Sequence, residues 1–311
     1  AEPLTITTIK LYAEIQDNFL PTPAKSHYLF NLRDVSKVFQ GVYLANPKLY
    51  EEKEQILRLW FHESCRVFMD RLINLEDREK FKIAIDNCMD SGLQMRMKEV
   101  VGDDPDMVFA GINLSSPEAE DPPYDYISDR KGLKAFMEQK VDDYNVMFKK
   151  APMALVMFKD AIELCCRILR IIRQPRGNAL LVGVGGSGRH CQSRLASYIG
   201  DLKCFQIEIS KQYKHREFLD DLKRMYEVAG TKDKPITFLF SDTEIVEESF
   251  LEDVANILSS GEVPNLYAND ELNAVRASIE KPAKEAKIPL TPEALYDFFI
   301  SRVRQNLHVI F

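Results

Sequence analysis

Between Leu180 and Ala196 the sequence reads LLVGVGGSGRHCQSRLA: a short apolar run, then a glycine-rich turn, then polar residues with helical character. Such a turn between a strand and a helix points successive backbone N–H groups inward, and the helix start adds a partial positive charge, so a polyphosphate fits there. Gly183, Gly185, Gly186 and Gly188 permit close backbone approach, with Val184 and Ser187 between them. Arg189 stands where such loops place a lysine, which keeps a cation near the outer phosphates on a bulkier, planar fork. His190 replaces the hydroxyl residue that normally holds Mg2+, and a neutral imidazole is a poor ligand for that hard ion. A tight turn with no ligand is the alternative.

A second constellation lies downstream, where the apolar run ITFLF ends in Ser241, Asp242 and Glu244. In loops of this type an acid at a neighbouring strand end holds the metal or its water, and a following acid polarises the attacking water. Asp242 and Glu244 are therefore the candidate catalytic carboxylates, against the alternative that they cap a turn. Six scattered cysteines without paired C-x-x-C spacing read as reduced, buried thiols, and no metal site is expected from them.

These residues need strands and helices to position them. Strand-like NALLVG leads into the loop, a helix follows through Leu195, and then come FQIEI, the helix REFLDDLKRMYEVAG, ITFLFS and the helix SFLEDVANILSSG. Strands alternating with helices of this length predict a parallel sheet covered on both faces. A helix over about Ala154 to Arg173 precedes them. Thr291 followed by Pro292 marks a helix start, and the spacing predicts a helix to about Asn306 with a fourth strand from Leu307.

The first third of the chain reads as helical, with Ile6, Ile9, Ile15 and Leu20 at near-helical spacing, then Ile56, Leu59, Trp60, Val67 and Leu72. Between these runs a helix resumes near Asn31. The Pro- and Asp-rich stretch DDPDMVFAGINLSSPEAEDPPYDYI is expected to be a surface connection, and PEAEDPP and EKPAKEAK read as solvated faces. A net charge of −7 argues against a nucleic-acid surface. No apolar run approaches the ~20 residues of a bilayer span, so no membrane insertion is expected. NLHVIF stops within a strand-like run, as expected of a piece of something larger.

Four segments together, RQPRGNALLVGVGGSGR, FQIEISKQY, SFLEDVANILSSGEVPNLY and LPTPAKSHYLFNLRDVSKVFQG, resemble the motor region of dynein heavy chains, and GVGGSGR with FLFSDTEI resembles the axonemal forms. The resemblance implies a small all-helical AAA+ lid of the third ring module over residues 1–115. A connection and first helix over 116–150 lead into an α/β P-loop AAA+ large subdomain of the fourth module over 151–311, with a parallel sheet. Matched residue by residue, Gly183, Val184, Gly185, Gly186, Ser187, Gly188, Arg189 and His190 form the loop for ATP or ADP. By the same match Pro175 and Gly177 in RQPRG run beside the adenine, and Arg33 in NLRD is a sensor arginine facing the nucleotide of the preceding module. Mg2+ is in question because HCQS replaces the usual wording. One register makes Asp242 the metal-binding acid, the other makes it the catalytic acid with Ser241 before it.

The implied protein is a microtubule-based, ATP-driven motor of the cilium axoneme, in the cytoskeleton and cytoplasm. In it this module holds nucleotide in a regulatory or structural role with weak or no hydrolysis. Implied partners are the neighbouring AAA+ modules, microtubules through a stalk, and intermediate and light chains through a tail. An independent P-loop kinase or ATPase, or a ring segment with an empty loop, are the competing readings.

Overall fold

Thr7 and Thr8 decide how the first helix packs. In α1 (Glu2–Asn18) their hydroxyls donate back to the carbonyls of Pro3 and Leu4, at 2.8 and 2.7 Å, which satisfies them without water. That lets the face of Thr7, Thr8, Leu11, Tyr12 and Ile15 turn inward, and Trp60 Nε1 donates to Thr8 Oγ1 at 2.9 Å. Ile6, Ile9 and Leu20, whose near-helical spacing marks the helix, are 47%, 53% and 64% exposed. The apolar spacing located the helix but not its buried side.

The computed structural model describes residues 2–102, 104, 106–116 and 122–311, and the chain divides into two units, Ala1–Leu133 and Lys134–Phe311. In the first unit α1 is followed by α2 (Leu32–Val42), α3 (Lys53–Val67), α4 (Leu75–Leu93) and the short α5 (Met97–Val101). Asn31 caps α2 by accepting from Arg33 N at 2.9 Å, and Asp34 reaches back to Asn31 N at 3.0 Å, a reciprocal capping box. Trp60, Phe68, Phe81, Ile85 and Met89 fill the centre of this unit.

Of the expected surface connection, Met107, Phe109 and Tyr124 instead join that core. β1 (Phe109–Gly111) pairs antiparallel with β2 (Tyr124–Tyr126), and Phe109, Ala110 and Tyr124 are buried. The aromatic residues drive this: Tyr124 donates to buried Glu63 at 2.6 Å, and the Phe109 ring packs 4.8 Å from that of His62. The first unit is thus helical with one small hairpin. Of the run PEAEDPP, Pro117 to Asp121 lie outside the described residues.

Helix α6 (Arg130–Met147) leads into the second unit, which continues with α7 (Lys159–Ile172), α8 (Arg189–Ile199), β3 (Lys203–Phe205), α9 (His215–Tyr226), β4 (Ile236–Leu239), α10 (Ser249–Ser259), α11 (Asn269–Glu285), α12 (Pro292–Asn306) and β5 (Leu307–Ile310). The sheet order is β3-β4-β5, all parallel, with Ala179 bridging in parallel to Ile310 on the far side of β5. Alternation of strand and helix gives the layered α/β architecture anticipated, and α12 begins at Pro292 behind a Thr291 cap. Helix α7 starts later than expected. Asn145 bonds both the N–H and the carbonyl of Met153, at 2.7 and 3.0 Å, which occupies backbone groups that a helix there would need. The segment EKPAKEAK forms the exposed end of α11, with Ala283 its one buried residue.

Phe218 of α9 and Phe250 of α10 stack at 4.2 Å against the wholly buried β4. Beyond α9 the chain makes a π-helical turn, Glu227–Thr231, held by Asn306 donating to Ala229 O at 3.0 Å. At Gly230 a Cβ would lie 2.4 Å from the Phe299 ring and 2.8 Å from Val303. Overpacking a closed core costs about 1–3 kcal/mol. Gly230→Ala should therefore lower the unfolding free energy of the second unit, read from urea denaturation, by roughly that amount, while Ala151→Gly, at an exposed loop position, leaves it nearly unchanged.

Candidate functional site

The loop hangs from the sheet by three backbone bonds. Ala179 N donates to Val309 O at 2.9 Å, Phe311 N to Ala179 O at 2.9 Å, and Leu181 N to Phe311 O at 2.7 Å. Regular strand geometry over NALLVG shrinks to this short ladder, because among the described residues the segment has a neighbour on one side only; Leu180 and Val182 are 68% and 87% exposed.

From Gly183 to Ser187 the backbone is open to solvent, and Gly188 caps α8. Gly186 and Gly188 both have φ of +78°, a conformation that favours glycine. A Cβ on Gly185 or Gly186 would meet nothing within 4 Å, so both glycines face open space at the head of a helix. A glycine-rich turn at a helix N-terminus is a place where a phosphate group can be held. Arg189 turns its guanidinium onto the loop itself: Nη1 donates to Leu181 O at 3.0 Å and Nη2 to Val184 O at 3.3 Å. His190 points outward in the first turn of α8 and is exposed.

Beside the loop, β4 runs out through Phe240, whose N–H donates to Ile310 O at 2.9 Å, and Ser241 follows at once. Ser241 N donates to Glu244 Oε2 at 2.7 Å, while its hydroxyl pairs with Thr243 Oγ1 at 2.8 Å. Glu244 Oε1 accepts from Gln206 Nε2 at 2.6 Å, and Gln206 Oε1 accepts from Arg194 of α8. Glu244 is 6% exposed, with both carboxylate oxygens engaged in holding the corner. Asp242 is exposed, and its Oδ1 accepts the neighbouring Thr243 N–H at 3.1 Å. Among the described residues no cluster of three His, Cys, Asp or Glu side chains is placed to hold a metal ion. An exposed imidazole, a hydroxyl committed to Thr243 and a fully bonded glutamate are a poor donor set for Mg2+.

Pro175 and Gly177 lie at the other end of the sheet, where β3, β4 and β5 begin. Pro175 lines a cavity of about 320 Å³ with Leu202, Pro235 and His308. The six residue steps from Gly177 to Gly183 span about 20 Å when extended. Glycine at 177 has a local cause, since a Cβ there would fall 1.8 Å from Ile171 O. The segment that touches the phosphate loop is a different one: a Cβ on Gly188 would meet Leu155 Cδ1 at 3.4 Å. In the sequence Leu155 reads as part of the helix expected from about Ala154 and is not recognised as a neighbour of the loop. Gln206 had a signal, a lone amide beside an apolar strand facing an acid.

Residues 153–311 match the family model of the P-loop containing dynein motor region D4, and residues 1–78 match the dynein heavy chain ATPase lid domain. The chain belongs to the family of axonemal dynein heavy chains. It is 45% identical over 307 residues to human dynein axonemal heavy chain 2 and 44% identical over 310 residues to the dynein-1-beta heavy chain of the flagellar inner arm I1 complex of Chlamydomonas reinhardtii. Those alignments cover 99% and 100% of this chain and 7% of each relative. The chain therefore spans a small part of a dynein heavy chain: a helical lid domain followed by an α/β P-loop AAA+ region. In the lid, Arg33 sits in the first turn of α2 and is exposed.

At the foot of the dynein sheet, His308 is 3% exposed and donates Nδ1–H to Gly177 O at 2.8 Å. Burial lowers its pKa below the ordinary histidine value, more than the Gly177 bond raises it. Folded, the ring resists protonation; unfolded, it does not. Its stabilising contribution is complete above about pH 6.5 and is lost as pH falls toward the folded value. Urea midpoints of the second unit should thus fall between pH 7.5 and 5.5, and His308→Asn, which keeps a donor for Gly177, should flatten that fall.

Proposed function

We propose that the second unit is a nucleotide-holding module of an axonemal dynein motor ring, binding ATP or ADP through the backbone N–H groups of Gly185 to Arg189. The observation that carries this reading is the open backbone cradle around Gly185 and Gly186 at the head of α8, with Gly186 and Gly188 at positive φ. Nucleotide supplies the charge that the amides and helix dipole attract. Leu155 closes one side of the cradle, and Arg194, Gln206 and Glu244 fix the neighbouring strand exit.

Hydrolysis in such sites depends on groups that stabilise the transition state more than the ground state. Here the metal-holding hydroxyl is replaced by His190, Ser241 stands at the strand exit, and Asp242 is the exposed carboxylate of the corner. In this reading Asp242 is the candidate for orienting water, and Glu244 is a positioning group. The module then serves a regulatory or structural role within an ATP-driven, microtubule-based motor of the cilium axoneme. Its neighbours would be other AAA+ modules of the same heavy chain, with microtubules reached through a stalk and intermediate and light chains through a tail.

Isothermal titration of the chain with ADP and ATP should show binding. Gly186→Val, which strains a residue at φ +78° and fills the cradle, should weaken it at least tenfold. Unchanged affinity in that variant would refute the phosphate-loop reading, and no binding by the parent chain would favour a nucleotide-free ring segment.

Removing Mg2+ with a chelator should alter the affinity less than about threefold, given the poor donor set. In a single-turnover assay hydrolysis should run about 10⁴-fold or more below that of a metal-competent module, since removing one group that stabilises transition-state charge slows a reaction by about 10²–10³ and two such positions, His190 and Ser241, are changed here. Brisk turnover would mean that Asp242 and Ser241 recruit the metal after all.

A further inference from the structure

The residue after the last loop glycine is expected to extend a cation toward the outer phosphates. Arg189 does something else: its two terminal nitrogens donate to the carbonyls of Leu181 and Val184, at 3.0 and 3.3 Å. Its stem lies flat along the loop floor, where a Cβ on Gly183 would meet Arg189 Cδ at 3.5 Å and Nε at 3.6 Å. Leu181 is the last loop-side residue tied to the sheet, through its N–H to Phe311 O at 2.7 Å. Val184 is the first residue of the glycine-rich turn, and its carbonyl also receives Ser187 N at 3.4 Å. Arg189 itself opens α8, where Ser193 Oγ donates to its carbonyl at 2.8 Å. One guanidinium therefore joins the strand, the turn and the helix.

We propose that Arg189 is a strut of the phosphate loop and not a ligand of the outer phosphates, so that the site binds nucleoside diphosphates and triphosphates with nearly equal affinity. This rests on the nucleotide-binding reading above and adds the discrimination that reading leaves open. The physical reason is the shape of the side chain. A guanidinium is a rigid fork that spans two acceptors, whereas an ammonium concentrates its charge at one point and suits a phosphate. With its terminal nitrogens bonded to a carbonyl of the strand and one of the turn, the side chain holds the turn in shape before any ligand arrives. Preorganisation of that kind strengthens the contacts shared by ADP and ATP. It adds nothing specific for a third phosphate.

The test uses Arg189→Ala and Arg189→Lys in the 311-residue chain, with ADP and ATP titrated calorimetrically and amide hydrogen exchange followed over Val182 to Gly188 without nucleotide. Both affinities should fall by the same factor, about tenfold, as expected for losing charge-assisted hydrogen bonds. Lysine should not restore them, and exchange of the loop amides, Ser187 included, should speed up about tenfold in both variants. Loss of ATP affinity at least tenfold greater than that of ADP, or rescue of ATP binding by lysine, would overturn the proposal, as would unchanged loop exchange. Should the parent chain bind neither nucleotide, the function proposed above fails, and the exchange measurement alone decides whether Arg189 is a strut.

Discussion

Everything at this site depends on a pairing between segments some 130 residues apart: Ala179 and Leu181 against the stretch from Val309 to Phe311. The phosphate loop has no core of its own, being solvent-exposed backbone and glycine. Its shape is inherited from the strand that enters it and the helix that leaves it. The entering strand is short, and α12 must run its full length from Thr291 to place β5 beside it. Pairing of that sequence separation is entropically expensive to form. The hydrophobic cluster of Phe218, Phe238, Phe250 and Phe299, which joins α9, α10, α12 and β4, offsets that cost.

A second constraint acts at the strand exits. Burying a carboxylate without partners is costly, so Glu244 fits beside β4 only because Ser241 N and Gln206 donate to it. Arg194 extends the chain of bonds back to α8, the helix that the loop opens. Two neighbouring strand ends and the loop helix are therefore held in register by side-chain bonds as well as by the sheet. A glutamate so engaged is held in place, because leaving its partners would orphan the Gln206 amide and the buried Ser241 N–H.

Much of the second unit was legible because its signals were local. Thr291 and Pro292 announced α12, strand and helix periods alternated at readable lengths, and the glycines at 186 and 188 occupy conformations that few other residues take. What failed to show depended on tertiary partners. The exposure of Ile6 and Ile9 followed from two threonines that satisfied themselves within the helix. The hairpin of Phe109 and Tyr124 looked like connection until buried Glu63 supplied a partner. The segment around Leu155 reads as helix, but Asn145 of a different helix bonds the backbone of Met153 and the helix starts only at Lys159. The chemistry of Arg189 was hidden in the same way: residue type gives the charge, but only the fold says which oxygens lie within its reach.

The two functions of a phosphate loop rest on different parts of the chain. Affinity for phosphate comes mainly from backbone N–H groups and the helix dipole, which survive almost any side-chain change outside the glycines. Hydrolysis comes from side chains: a hydroxyl for the metal, an acid for the water, an arginine from a neighbour. On the reading proposed above, His190 and Ser241 touch only the second set, and the sheet and the loop are built without those side chains. In a loop of this kind, loss of the catalytic side chains leaves the backbone that faces the phosphates in place. At the strand exit of this chain packing and hydrogen bonding then take over, with Glu244 held by Gln206 at the corner beside the loop.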